Sequence, residues 1–253
     1  MFSTGQAQNN SAKNSFLNSE VDIESEIIDL LWEAGSEKSV KRKEKYKEKL
    51  HKFIKRAERR NLNQKNTQLF LENLFFRVHN RFLDHYKKTQ VTTFEQVFSN
   101  GSYDCVTGTA LYGLILAQLG YEVQVYETTY HVLLIINYDD RIAMIESTDS
   151  YYGFITEEKR IDSYLGYYKL NKSHQVDGYK KLSYTGDSFI GLKELAGLLY
   201  YNLAVQELNN HNYNNAEFFI TRAEQLYRSD RMREIRSIIE QHKASKNILS
   251  FNL

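Results

Sequence analysis

The stretch from Asp104 to Gly120 constrains the fold most, because it predicts one helix that has a strongly apolar body and two marked ends. Asp104 is a residue type that caps the first turn of a helix, and Gly120 is one that ends the last turn. The apolar side chains of its body are Ala110, Leu111, Leu114, Ile115 and Ala117. Other elements have to cover such a helix, so we expect it at the centre of the fold.

Three strand-like runs follow this helix, at residues 121–127, 130–137 and 141–146. Their β-branched and aromatic residues favour extended structure. The pair Asp139-Asp140 between the last two runs is typical of a tight turn, so these runs should form an antiparallel hairpin. The polar, tyrosine-rich stretch from Thr148 to Ser188 is expected to hold further short strands.

The segments on both sides of this central part have helical patterns. Apolar residues at helical spacing predict helices at about 21–33, 37–60 and 67–86, a short connection at 93–102, and more helices from about Leu192 onward. The predicted fold class is α+β: N-terminal helices, a core in which the Cys105 helix packs on an antiparallel sheet, and a C-terminal helical tail. We divide the chain into 1–20, disordered or a remnant of an export signal, 21–90, the N-terminal helical region, 91–190, the core, and 191–253, the tail.

Composition argues against several classes of protein. The 253 residues carry a formal net charge of +1, so the overall charge does not favour binding to nucleic acid. No apolar run approaches the length of about 18 residues that a membrane span needs. The single cysteine excludes an intramolecular disulfide framework and a multi-cysteine metal site. The basic run Lys41-Arg42-Lys43 has residue types that bind phosphate, but interleaved glutamates favour a solvated helix face.

The first nine residues leave the compartment open. They have neither the basic region nor the apolar stretch of a signal peptide. Gly5-Gln6-Ala7 nevertheless looks like the small-residue cleavage end of one, which a start further upstream would explain. Cytoplasmic and exported (periplasmic) locations are both retained.

Three residue types that together form a nucleophilic cysteine site lie on three separate elements. Cys105 opens the predicted helix, His131 lies in the second strand-like run, and Glu146 ends the third. A helix start favours a thiolate, a histidine can take the thiol proton, and a carboxylate can orient the histidine ring. Asp149 is an alternative to Glu146 as the third member. Each residue also has a structural interpretation, because a lone cysteine on an apolar helix is most often an inert core residue.

Further residues are candidates for contact with a substrate. The backbone N–H of Cys105 can stabilise an oxyanion together with a donor from Ser99, Asn100 or Tyr103, and Tyr130 is a fourth candidate for substrate binding. A tyrosine cluster either lines a peptide cleft or packs in the ordinary way: Tyr151, Tyr152, Tyr164, Tyr167 and Tyr168. Metal-ligand spacing is missing among the other histidines, which are His51, His79, His85, His174, His211 and His242. We therefore expect no metal site, and the chemistry of a cysteine nucleophile needs no organic cofactor.

The region from about Phe94 to Phe154 resembles the transglutaminase-like superfamily, which has a papain-like cysteine site. The shared features are a cysteine that opens a helix ending in Leu119-Gly120, a histidine at a strand, and an acid at the end of the hairpin. Glu146 stands fifteen residues after His131, at a place where the family usually has aspartate. The resemblance implies that Cys105 is the nucleophile, His131 the base and acid, and Glu146 the orienting group, and that acyl transfer runs through a thioester.

The segment from Leu199 to Leu226 resembles one tetratricopeptide-type helical hairpin. Ala204, Ala216 and Ala223 are small residues that allow two helices to pack closely. A lone repeat cannot form a solenoid, so we expect this hairpin to pack on the core or to dock a protein partner.

The leading hypothesis is a thiol hydrolase that acts on amide bonds of a peptide or protein. The alternative is a catalytically inactive domain that binds a protein or peptide, and a third possibility is a crosslinking acyltransferase. The state of Cys105 separates an enzyme from an inactive domain, because only the enzyme needs a thiol that reacts readily near neutral pH.

Overall fold

A computed structural model describes residues 26–35, 40–170 and 188–251 of the chain. In chain order its elements are α1 (26–33), α2 (Val40–Asn63), α3 (Thr67–Phe82), β1 (His85–Tyr86), α4 (Phe94–Ser99), β2 (Ser102–Tyr103), α5 (Cys105–Gln118), β3 (Glu122–Glu127), β4 (Val132–Tyr138), β5 (Arg141–Ile145), β6 (Phe154–Ile155), α6 (Glu158–Leu170), β7 (Ser188–Ile190), α7 (Leu192–Asn209), α8 (Tyr213–Leu226) and α9 (Asp230–Phe251). Helices around an antiparallel sheet confirm the α+β class.

Strands β3 to β7 form one antiparallel sheet with the order β6-β5-β4-β3-β7. The predicted hairpin is its centre, and Tyr138 pairs with Arg141 across the turn. Asp139 and Asp140 hold φ angles of 45° and 57°, the left-handed conformation that a two-residue hairpin turn requires. Asparagine, aspartate and glycine tolerate this conformation best, which is why the aspartate pair marks the turn.

The central strand β4 is buried on both faces of the sheet. Val132, Leu134 and Ile136 belong to the large core that α5 occupies, whereas Leu133 and Ile135 contact a smaller cluster with Ile161 of α6. Alternate residues of a strand point to opposite faces, so one continuous apolar run fills two layers. The sheet therefore lies between α5 with its helical surroundings and α6.

Helix α5 is the buried central helix that the sequence predicts. Asp104 caps it and accepts a hydrogen bond from the Thr107 N–H at 2.8 Å, and Leu119 with Gly120 ends it. Gly120 has a φ of 83°, which glycine adopts without strain. Gly113 faces α7 so closely that a Cβ there would lie 2.4 Å from Leu192 Cδ2. The nucleophile candidate thus starts a helix that both the sheet and the C-terminal helices cover.

Two predicted segments differ from the structure. The helix expected over 67–86 ends at Phe82, because the N–H groups of Asp84 and His85 both bond to the Gly101 carbonyl and start β1. Strand β1 then pairs in parallel with β2, which is a contact between distant parts of the chain. The connection at 93–102 contains helix α4, and the stretch expected to hold short strands contains helix α6 as well as β6 and the start of β7.

The C-terminal helices α7, α8 and α9 agree with the apolar patterns that predict them. They also contact α1, since the Tyr200 hydroxyl donates to the Leu30 carbonyl at 2.9 Å and Arg222 pairs with Glu33. None of the described helices combines the length and apolar character that a membrane span needs. Residues 1–20, His174 and the side chains of Tyr167 and Tyr168 lie outside the described part.

Candidate active site

Cys105 is the first residue of α5, with a free and half-buried thiol. The Asp104 carboxylate caps the helix, and it also accepts a hydrogen bond from the Thr92 N–H at 2.8 Å. The free N–H groups and the dipole of a helix N-terminus favour a negative charge at this position. The local sequence thus creates an environment that suits a thiolate.

The sequence pattern places His131 inside the second strand-like run, but in the structure His131 directly precedes β4. A tight turn from Thr128 to His131 holds its backbone: the Thr128 hydroxyl accepts from the His131 N–H at 2.9 Å and donates to the His131 carbonyl at 2.9 Å. The Thr128 N–H donates to the same carbonyl at 2.8 Å. The backbone of the histidine is therefore fixed on both sides before the strand begins.

Glu146 lies just beyond the end of β5 and contacts the imidazole of His131. Its Oε2 lies 2.5 Å from His131 Nε2, and Oε1 accepts from the Thr148 N–H at 2.9 Å and from the Thr148 hydroxyl at 2.6 Å. The side chains of His131 and Glu146 are only 12% and 6% exposed. Both carboxylate oxygens are engaged, which fixes the carboxylate plane against the ring.

The Cys105 and His131 side chains are joined by a hydrogen bond. Nε2 of the ring faces Glu146, which leaves Nδ1 as the nitrogen available to the thiol. The structure therefore brings together the three residues that the sequence singles out. Asp149, the alternative third member, accepts from the N–H groups of Tyr151 and Tyr152 and shapes the loop instead.

Two glycines allow close packing around the loop that starts at Glu146. A Cβ at Gly108 would lie 2.9 Å from Ser147 Oγ, and a Cβ at Gly153 would lie 2.2 Å from the Glu146 carbonyl oxygen. A larger residue at Gly108 would therefore push the loop away from α5, and a larger residue at Gly153 would open the loop itself. A glycine inside an apolar helix often marks such a close approach, so Gly108 is a signal available in the sequence.

The charges of the cluster alter the protonation of its members. Burial lowers the pKa of His131, but hydrogen bonds to Cys105 and Glu146 and the negative charges of these groups outweigh burial and raise the pKa to about 10. Burial raises the pKa of Glu146, but the contacts with His131 and Thr148 outweigh it and lower the pKa. The arrangement favours a protonated imidazole beside the Glu146 carboxylate.

Tyr86 also belongs to this site, although the sequence pattern places it at the end of a predicted helix and does not single it out. The structure puts it in β1, where it is 41% exposed and its hydroxyl bonds to the Thr148 side chain. Burial first, and then the proximity of Cys105, raise the pKa of Tyr86. No local pattern reveals this position, because it depends on the parallel pairing of β1 with β2.

The four predicted substrate-binding residues are placed differently from one another. Asn100 accepts a hydrogen bond from the Ser102 N–H, and buried Tyr103 contacts His79 Nε2 through its hydroxyl at 3.2 Å. Ser99 is exposed at the end of α4, and Tyr130 is exposed beside His131. Their part in substrate binding stays a prediction.

In the described part of the chain, no group of three or more histidine, cysteine, aspartate or glutamate side chains is arranged to hold a metal ion. No protein-family model, no curated protein and no solved structure matches this chain significantly. The arguments about function therefore depend on the geometry of the site itself.

Proposed function

We propose that the protein is a thiol hydrolase of the transglutaminase-like type, which cleaves peptide or isopeptide amide bonds through a thioester. One observation carries the proposal: the Cys105 side chain bonds to His131, and His131 Nε2 lies 2.5 Å from Glu146 Oε2. Nucleophile, base and orienting group thus form a continuous hydrogen-bonded series. The order of helix, histidine and hairpin-closing acid supports the family assignment.

The first half of the reaction forms the thioester. His131 takes the thiol proton at Nδ1, and the Cys105 thiolate attacks the carbonyl carbon of the amide. The tetrahedral oxyanion then collapses as the C–N bond breaks, and the protonated imidazole gives its proton to the leaving amine. Glu146 stabilises the imidazolium and keeps Nδ1 directed at the thiol.

The second half releases the product. His131 removes a proton from water, the hydroxide attacks the thioester carbonyl, and the C–S bond breaks to give a carboxylic acid and the free thiol. A second amine in place of water would give the crosslinking reaction. Hydrolysis is the simpler reaction, since it needs no second substrate site.

The oxyanion of both steps needs hydrogen-bond donors. The backbone N–H of Cys105 belongs to the first turn of α5, where N–H groups have no acceptor within the helix. The Tyr86 hydroxyl, close to Cys105, is the side chain that we propose as the second donor. We prefer Tyr86 to Tyr103, because Tyr103 is buried and its hydroxyl contacts His79, whereas Tyr86 is exposed beside Cys105 and its hydroxyl would exchange Thr148 for the oxyanion.

The test is the pH dependence of Cys105 alkylation by iodoacetamide, with His131→Ala as the comparison. A thiolate–imidazolium pair predicts a plateau of fast alkylation that extends below pH 6 and disappears in the variant. Cys105 is the only cysteine, so the measured rate belongs to it. A thiol that reacts like free cysteine, or reacts only after unfolding, would contradict the hydrolase and leave the binding domain as the alternative.

A further inference from the structure

We propose that Arg231 and Tyr227, which lie in the C-terminal helical region, are positioning residues for His131. The inference rests on the proposed function, since it assigns those helices a role in the same site. Arg231 is the second residue of α9, and Tyr227 follows the last residue of α8. Both reach the end of β3, from which the turn to His131 departs.

The first contact is a buried carboxylate at the end of β3. Glu127 is the last residue of this strand and its side chain is 0% exposed. The Tyr227 hydroxyl donates to Glu127 Oε2 at 2.6 Å, and Arg231 Nη2 lies 3.1 Å from Glu127 Oε1. Two residues of the C-terminal helices thus occupy both oxygens of one strand-end carboxylate.

The second contact leads from Arg231 toward the histidine. Arg231 Nη2 donates to the Thr128 carbonyl at 3.3 Å, and Thr128 in turn bonds to both the N–H and the carbonyl of His131. The Tyr201 ring of α7 packs under the guanidinium, whose carbon lies 5.6 Å from the ring centroid. The route from α9 to the backbone of His131 therefore passes through one residue, Thr128.

Stability alone does not account for this arrangement. A buried ion pair is usually no more stabilising than an apolar pair of similar size, because both charges lose their water. Arg231 Nη2, however, contacts the Glu127 carboxylate and the Thr128 carbonyl together, and an apolar side chain cannot connect the strand end to the turn in this way. This directional contact lies where the chain leaves β3 for the His131 turn, which is the place where a small displacement would move the imidazole away from Cys105.

The test compares Arg231→Met and Tyr227→Phe with Arg233→Met, a control in the same helix whose side chain is 78% exposed. One readout is the alkylation rate of Cys105 at pH 6, and the other is the ring ¹⁵N shifts and titration midpoint of His131 by NMR. We expect Arg231→Met to slow alkylation at pH 6 by roughly tenfold, because a small misplacement of a reacting group caused by a distant substitution slows a reaction by up to about 10²-fold. The His131 midpoint should fall toward its ordinary value, and Tyr227→Phe should have a smaller effect of the same sign.

The double variant Glu127→Leu/Arg231→Met separates positioning from stability. It removes both buried charges, so its resistance to urea should return toward that of the wild type, while the His131 shifts stay altered. If Arg231→Met folds and its His131 ring shifts equal those of the wild type, the proposal is overturned. If Arg231→Met does not fold, the same result in both the double variant and Tyr227→Phe overturns it. A wild type without the low-pH alkylation plateau would contradict the hydrolase alone, because the NMR comparison does not require catalysis.

Discussion

Glu146 Oε2 lies 2.5 Å from His131 Nε2, and this contact decides which ring nitrogen meets the nucleophile. With Nε2 occupied, the imidazole presents Nδ1 to Cys105. The carboxylate is itself held by the N–H and the hydroxyl of Thr148, so the ring cannot rotate without breaking several hydrogen bonds. The site is therefore oriented before any substrate arrives.

Glu146→Gln should slow the alkylation of Cys105 less than His131→Ala does. The amide can still contact the ring but carries no charge to stabilise the imidazolium, so we expect a loss of roughly tenfold, against roughly 10²-fold for the histidine change, which leaves a thiol that reacts like free cysteine. The measurement is the alkylation rate at pH 6. Asp149→Asn is the matched control, because Asp149 accepts only backbone N–H groups of its own loop among its described hydrogen bonds. A larger effect of Asp149→Asn than of Glu146→Gln would reverse the assignment.

His131 should contribute to the free energy of unfolding in a pH-dependent way, and His131→Gln should remove this contribution. The folded-state pKa of His131 is about 10, above its ordinary value of 6.5, so its contribution is complete below pH 6.5 and is lost as the pH rises toward 10. The pKa of Glu146 is lowered in the folded state, so its contribution to stability is present above pH 4.5 and is lost as the pH falls through the folded-state pKa. The measurement is urea unfolding of the wild type and of His131→Gln at about pH 5.5, 7, 8.5 and 10. The difference between their free energies of unfolding should shrink as the pH rises. A difference that is constant or grows would contradict the assignment.

Tyr86→Phe should lower turnover without changing thiol reactivity. Loss of one oxyanion donor costs about 10²-fold in turnover, whereas alkylation by iodoacetamide forms no oxyanion. We would measure turnover of an activated ester such as p-nitrophenyl acetate beside the alkylation rate. Tyr152→Phe, an exposed tyrosine of the nearby loop, should change neither rate. Parallel losses in both measurements after Tyr86→Phe would show that Tyr86 acts on the thiol instead.

Gly108→Ala should damage both stability and reactivity. The added methyl group would lie 2.9 Å from Ser147 Oγ and 3.1 Å from Tyr103 Cδ2, so Ser147 and the adjacent Glu146 have to move. Overpacking costs about 1–3 kcal/mol and the better helix propensity of alanine returns roughly 1 kcal/mol, so the net loss should be about 1 kcal/mol. Gly166→Ala in α6 meets no atom within 4 Å and should stabilise the protein slightly. Urea unfolding and alkylation at pH 6 test both variants. Unchanged alkylation in a folded Gly108→Ala would show that the added methyl group does not displace Glu146.

Local sequence determined the elements that carry the three site residues. Asp104 and Gly120 mark the ends of α5, and Asp139-Asp140 marks the hairpin turn, because capping and left-handed turns depend on the residue types at the position itself. The residue types and their order along the chain therefore suffice to single out Cys105, His131 and, as two alternatives for the third member, Glu146 and Asp149.

Only the tertiary structure decided which other residues join them. Tyr86 lies next to Cys105 because β1 pairs with β2, and Arg231 reaches Thr128 from more than a hundred residues away in the chain. The choice between Glu146 and Asp149 also depends on the close approach that Gly108 and Gly153 permit. Such contacts arise from the packing of distant segments, where burial and complementary shape decide, and no periodicity or capping signal in one segment encodes its distant partner.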